Sequence, residues 1–194
     1  MSIFGIYMQL GFDHIIDYQA FDHILFIVTL TAVYRFANWK KVLILVTAFT
    51  IGHTTTLALA TLNIVNVNAS LIEFLIPLTI FITAMGNIVT KQQDFSSRLH
   101  SFKYLTAMFF GLIHGLGFSN YLKSLLGMEQ SIVKPLFAFN LGLELGQILI
   151  VLIILSAASF SFRYLQVKMR EWALVLSGAG LGVSIMLMIE RLIS

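Results

Sequence analysis

Six apolar stretches of roughly bilayer length, joined by short connections, confine this chain to one class of fold. A bilayer's hydrocarbon core takes about 20 apolar residues per helical crossing. On that ruler the spans fall at 22–37, 42–61, 70–89, 104–122, 135–158 and 172–190. The first is short and reads as beginning within the preceding segment. Residues 1–20 are apolar but interrupted by Asp13, His14 and Asp17. No Lys or Arg precedes their apolar part, so they do not read as a signal peptide, and an interfacial or re-entrant helix is expected. The fold class that follows is an all-α integral membrane protein. It is a single transmembrane domain over residues 1–194, a bundle of about six transmembrane helices plus the N-terminal interfacial or re-entrant helix. Only 11% of residues are charged against 58% hydrophobic. Soluble domains are nearer a quarter charged, which excludes an ordinary cytosolic enzyme or a disordered chain. Cysteine is absent, so disulfides, thiolate metal sites and cysteine nucleophiles are excluded.

The net charge of +3 reports loop orientation rather than a nucleic-acid partner. Arg35, Lys40 and Lys41 follow the first span, Lys91, Arg98 and Lys103 the third, and Arg163, Lys168 and Arg170 the fifth. The alternate connections are poorer: 62–69 has no cation, and 123–134 has Lys123 and Lys134 beside Glu129. The positive-inside rule then puts both termini on the periplasmic side. Gly111/Gly115, Gly142/Gly146 and Gly178/Gly182 have the spacing that lets helix backbones approach closely in lipid. Chance in glycine-rich spans is the alternative.

Ionisable groups within these spans cost a few kcal/mol each and usually face a partner or a cavity. They are Asp22, His23, His53, Glu73, His114 and Glu144, accompanied by Asn87, Asn140 and Gln147. Asp22 and His23 are expected to open the first span from outside, with Glu73 about a turn inside the outer end of the third. At about 1.5 Å per residue, His53, His114 and Glu144 fall roughly 12–14 Å below the outer edge. Asn140, Glu144 and Gln147 share one helix face, as do Thr50, His53 and Thr54. No Lys or Arg inside the spans neutralises the carboxylates. They must be protonated, paired with imidazolium, or balanced by a bound cation. Imidazole plus carboxylate without thiolate suits Ni²⁺, Co²⁺, Zn²⁺ or Fe²⁺ better than Cu⁺. Blander roles stand beside this one. His53 alone fits an interhelical hydrogen bond, Asp22-His23 a helix cap, Glu73 a solvated helix end, and Asn140 and Gln147 simple packing. Glu144 is the hardest to explain that way. Asp13, His14 and Asp17 suit either a metal-collecting vestibule or a solvated face, and His100 lies in a cationic loop.

The stretches GFDHIIDYQAFDHILF (11–26), FTIGHTTTLALA (49–60), IEFLIPLTI (72–80), FGLIHGLGF (110–118) and FNLGLELGQ (139–147) resemble the HupE/UreJ hydrogenase/urease accessory membrane proteins. The match is closer to the branch with a glycine-flanked histidine in FGL-HGLGF. One departure is Ala20, where a glycine two residues before Asp22 is the family pattern. The resemblance implies a multi-spanning bacterial inner-membrane protein and, for the better-studied relatives, uptake of nickel or cobalt. Carried over by position, the family's polar signature falls on His14, Asp22, His23, His53, Glu73, His114, Asn140, Glu144 and Gln147.

The expected function is divalent-metal transport, with nickel favoured and cobalt or zinc open. Ligands are expected among His23, His53, His114, Asp22 and Glu144, with His14, Glu73, Asn140 and Gln147 supporting them or guarding access. The second reading is an intramembrane metallohydrolase acting on a lipid or membrane-protein substrate, with Glu144 or Asp22 as the catalytic carboxylate. No H-E-x-x-H spacing accompanies it. The third is a non-catalytic subunit of a larger assembly. The expected partners are a metal ion and the lipid bilayer and no nucleic acid, with a membrane-protein partner or a homo-oligomer left open.

Overall fold

A computed structural model describes residues 2–18, 21–90, 97–126 and 131–193, with the side chains of 97–100 outside the description. Ala20, Lys91 and Glu129, and the side chains of Arg98 and His100, therefore lie outside it. Seven α-helices and no strand form among the described residues: α1 (Ile3–Ile16), α2 (Asp22–Thr31), α3 (Trp39–Thr61), α4 (Ala69–Val89), α5 (Ser97–Leu126), α6 (Val133–Tyr164) and α7 (Met169–Ile193). Among them α3 with its preceding 3-10 turn, α4, α6 and α7, at 26, 21, 32 and 25 residues, are long and apolar enough to cross a membrane. The helix α5 has the length, 30 residues, with Lys103, His114 and Lys123 diluting its apolar character.

Local chemistry sets the helix ends. Ser2 accepts from the Gly5 N–H to cap α1, and Asn68 accepts from Ser70 and Leu71 to cap α4, each satisfying N–H groups that a helix start leaves open. Past α3 and α6 the chain turns through Asn63 and Gln166, both with positive φ, the left-handed exit common at helix C-termini. Glu171 reaches back to the Lys168 N–H at the start of α7.

The helices pair through glycines. A side chain on Gly11 would meet the carbonyl of Phe139, and one on Gly142 the carbonyl of Met8. These contacts, with Gly146 against Ile15, lay α1 along α6 in the same direction. Gly52, Gly111 and Gly115 likewise bring α3 and α5 together, again in the same direction, with Gly111 against Phe49 and Gly115 against His53. The pairs Gly111/Gly115 and Gly142/Gly146 thus serve close approach, as their spacing predicts. Gly178 and Gly182 do not: neither has a neighbour within 4 Å among the described residues. Antiparallel α4 and α7 are joined by Glu73–Arg191 at one end and by Arg170 on the last carbonyls of α4 at the other.

The N-terminal segment, expected as an interfacial or re-entrant helix, and the short first span form the helices α1 and α2. With 14 and 10 residues, α1 and α2 are about 21 and 15 Å long, each shorter than a hydrocarbon core of about 30 Å. From its first turn, α2 runs toward the end of the bundle that carries the cationic loops: Asn87 near the end of α4 donates to Thr29 O, and Lys103 lies over the Tyr34 ring. The other half is covered by α1, whose C-terminal turn meets the first turn of α2. Asp22 and His23 stand in the first turn of α2, with the His23 ring buried beside that of His14.

Candidate metal centre

The imidazoles gather where the last turn of α1 meets the first turn of α2. His14 comes from the last turn of α1, His23 from the first turn of α2, and His53 from the middle of α3. One ring nitrogen from each lies within 4.8 Å of the others. The ring centroids of His14 and His23 are 4.6 Å apart, and each is 6.0 Å from that of His53. Nitrogens around a tetrahedral ion sit roughly 3.3 Å apart for bonds of about 2.05 Å, so modest side-chain rotation would close this set on an ion. The glycine contacts explain why the three converge. The α1–α6 contact fixes the depth of His14. The α3–α5 contact at Gly52, Gly111 and Gly115 holds His53 beside α5, where His114 follows Gly111 by three residues.

His114 is fully buried and stands next to this group, its ring 5.1 Å from that of His23. Its Nε2 is 3.0 Å from Thr79 Oγ1, whose own hydroxyl donates to Ile76 O. The threonine oxygen then accepts from Nε2–H, which leaves the lone pair on Nδ1. Asp22 supports His23: its Oδ1 accepts from the His23 backbone N–H at 2.9 Å and lies 3.1 Å from Nδ1 of the same residue, without hydrogen-bond alignment to the ring. Aromatic rings wall the group. Phe118 lies 3.9 Å from His14, Phe49 is 5.1 Å and Phe26 5.3 Å from His114, and Phe139 is 5.8 Å from His14.

Among the described residues, six buried imidazole nitrogens have no hydrogen-bond partner: Nε2 of His14, both of His23, both of His53, and Nδ1 of His114. A buried polar atom left unpaired costs about 1–3 kcal/mol, and native interiors rarely tolerate several together. Packing alone gives no account of six. An ion accounts for one nitrogen on each ring that binds it, the other nitrogen carrying the proton, and neutral imidazole nitrogen is a common ligand for divalent transition metals.

The other polar residues singled out in the sequence are placed elsewhere. Glu144 is half-buried on α6 and accepts from Thr47 at 2.7 Å. Gln147 accepts from Thr50 and Asn140 from Thr54, at 2.7 and 2.6 Å. These three contacts knit α6 to α3 and lie outside the histidine group. Glu73 is exposed, 3.4 Å from Arg191. Asn87 is buried toward the cationic end, donating to Thr29 O and Ser177 Oγ. Thr79 and the Phe118 wall are the participants that sequence reasoning passes over. The one pointer to Thr79 is its place two residues after Pro77, on the helix face it shares with Thr83 and Asn87.

The chain matches the family described as HupE / UreJ protein over residues 1–191, essentially its full length. No curated protein and no solved structure matches it.

Proposed function

The chain belongs to the HupE/UreJ family, which implies an accessory or transport role in handling nickel or cobalt. From that premise we propose that it binds a divalent transition metal at His14, His23 and His53 and passes it across the inner membrane. The observation that carries this reading is the set of six unpartnered buried imidazole nitrogens, with three histidines from different helices offering nitrogens within 4.8 Å. An all-imidazole set with a carboxylate behind one ring suits Ni²⁺, Co²⁺ or Zn²⁺. His14 is only half-buried and would be the first ligand an arriving ion meets. Asp22 would hold the His23 ring and raise its basicity, as carboxylates behind metal-binding histidines do. Asp22→Asn should therefore weaken metal affinity about 10–100-fold while the protein stays folded, as read by isothermal titration.

Beyond the histidines, α4 carries Thr79, Thr83 and Asn87 at i, i+4 and i+8, one polar stripe running from His114 toward the cationic end. Thr83 donates to Thr79 O, and Asn87 bonds Thr29 and Ser177. This stripe supports an inward route. By the positive-inside rule the cationic end is the cytoplasmic one, with both termini periplasmic. Protonated imidazole offers no lone pair, so metal binding and proton binding compete. Acidification should thus lower metal affinity, and binding should release protons into a weakly buffered solution. The experiment is metal flux into proteoliposomes carrying a metal-sensitive dye. Wild type should move Ni²⁺ or Co²⁺, and His53→Ala should not. Equal flux in both, or none in wild type, would end the transport reading.

One arrangement favours a second reading. Three histidines with a further coordination position and a nearby carboxylate, Asp22, are also the parts of a hydrolytic zinc site. Metal that resists chelator and turns over a lipid or membrane-protein substrate would support it.

A further inference from the structure

One helical turn beyond the histidine group, α4 and α5 part and leave a cavity of about 170 Å³. On α4 its lining includes Thr83, one turn past the Thr79 that meets His114, and reaches Thr90 at the helix end. On α5 it includes Phe110, one turn before His114. At 1.5 Å per residue, the inner end lies roughly 6 Å from the level of Thr79 and His114. The walls are largely apolar, yet three of their polar side chains share one character. Thr83 donates its hydroxyl proton to Thr79 O, and Thr106 donates its own to Phe102 O. Asn87 gives its side-chain amide to Thr29 O and Ser177 Oγ. With these protons committed, the three side-chain oxygens are left as acceptors. No carboxylate lines the cavity among the described residues, and Lys103, which does, lies over the Tyr34 ring.

Acceptors whose own protons are spent suit a guest that only donates, and the water shell of a cation is such a guest. The volume holds several waters. Between it and the histidines stands aromatic packing. Phe110 is buried, its ring 6.1 Å from that of Phe26, which in turn lies 5.3 Å from His114. Apolar constrictions of this kind close a path by excluding water. We propose that the α4–α5 cavity is a water-filled inner vestibule for a hydrated divalent cation, and that Phe110 shuts it off from the histidine group. The inference rests on the transport reading and names the station that follows the histidines, with the barrier before it.

The chain has no cysteine, so a single introduced thiol reports on one place. Thr83→Cys puts it on the cavity wall and Thr79→Cys behind Phe110. The full chain in phospholipid nanodiscs, free of metal, is treated with a trimethylammonium-bearing methanethiosulfonate or its sulfonate-bearing counterpart. Modification is followed by intact mass spectrometry. Only a thiolate reacts, so the rate reads where water reaches. Thr83→Cys should react at least about tenfold faster than Thr79→Cys, the ratio given by a 1.4 kcal/mol difference in access. It should also react faster with the cationic reagent than with the anionic one, each scaled to a free thiol. Adding Phe110→Ala should bring Thr79→Cys up to the rate of Thr83→Cys, and Phe110→Leu should raise it by less. Leu155→Ala, which hollows the core at a buried position on α6, should leave Thr79→Cys slow and so separates a barrier from general loosening. An unreactive Thr83→Cys, as a dry or lipid-filled cavity gives, or a preference for the anionic reagent would overturn the vestibule. Fast labelling of Thr79→Cys with Phe110 intact, or slow labelling in both Phe110 variants, would overturn the barrier. Because no metal enters the assay, the two readings fail separately. Absent metal flux beside the expected labelling removes transport alone, and metal flux beside contrary labelling removes this proposal alone.

Discussion

His53→Ala and His23→Ala are expected to lose metal affinity by more than the roughly 10–100-fold typical when a group that merely supports a ligand is removed. Each removes one of the three nitrogens that lie within 4.8 Å of one another. The buried positions cannot recruit water as a substitute, because the surrounding walls are the rings of Phe49, Phe118 and Phe139. His114→Ala should cost less, since its Nε2 is engaged with Thr79 and it stands beside the group rather than in it. Glu144→Gln separates a centre built on the three histidines from one built on depth alone. Glu144 is engaged by Thr47, so its substitution should leave metal affinity within about threefold, below the smallest effect typical of a supporting group. Equilibrium titration of the four variants checks the order. The alanine variants should also be no less stable without metal, because each removes unpaired buried nitrogens whose desolvation opposes folding.

The largest expected loss of stability comes from glycines. In Gly142→Ala the new carbon would sit 1.8 Å from the carbonyl oxygen of Met8, and in Gly111→Ala 2.1 Å from that of Phe49. Backbone cannot rotate away as a side-chain end can, so the paired helices must separate. Overpacking of this kind costs typically 1–3 kcal/mol and sometimes more. Thermal unfolding in detergent should show both variants strongly destabilised. Gly178→Ala is the control. With no neighbour within 4 Å among the described residues, it should be neutral or gain up to about 1 kcal/mol of helix propensity. Gly142→Ala should also weaken metal binding, because it pushes α1, and His14 with it, away from α6.

Apolar length is a one-dimensional signal, and it makes the all-helical membrane class legible from the residues alone. The glycine pairs at 111/115 and 142/146 are legible for a similar reason, since helical spacing by itself puts small residues on one face. Gly178/Gly182 has the same spacing and no partner, because spacing says which residues share a face and not what faces them. The same limit governs the site. Depth along a helix places His53, His114 and Glu144 at one level, but depth carries no azimuth. Glu144 points its carboxylate at Thr47 while His53 turns to His14 and His23. Glu73 is exposed at a helix end, as one of its two readings has it, and there an exposed arginine 118 residues away in sequence meets it. His14 is hardest to weigh because residues 1–20 carry too short an apolar run to read as crossing. Only the pairing of α1 with α6, fixed by Gly11 and Gly142, puts that histidine inside the bundle. Thr79 leaves almost no trace, since a threonine in an apolar helix ordinarily bonds its own preceding turn, as Thr83 does.

The most direct test of the metal centre is X-ray absorption spectroscopy at the metal edge of the full-length protein loaded with Ni²⁺, Co²⁺ or Zn²⁺ in detergent. Three imidazole nitrogens are expected in the first coordination sphere, at about 2.0–2.1 Å for zinc, with the loss of one of them in His53→Ala. A sphere of oxygen alone, a sphere unchanged in His53→Ala, or failure to take up any of the three metals would contradict a centre built on His14, His23 and His53.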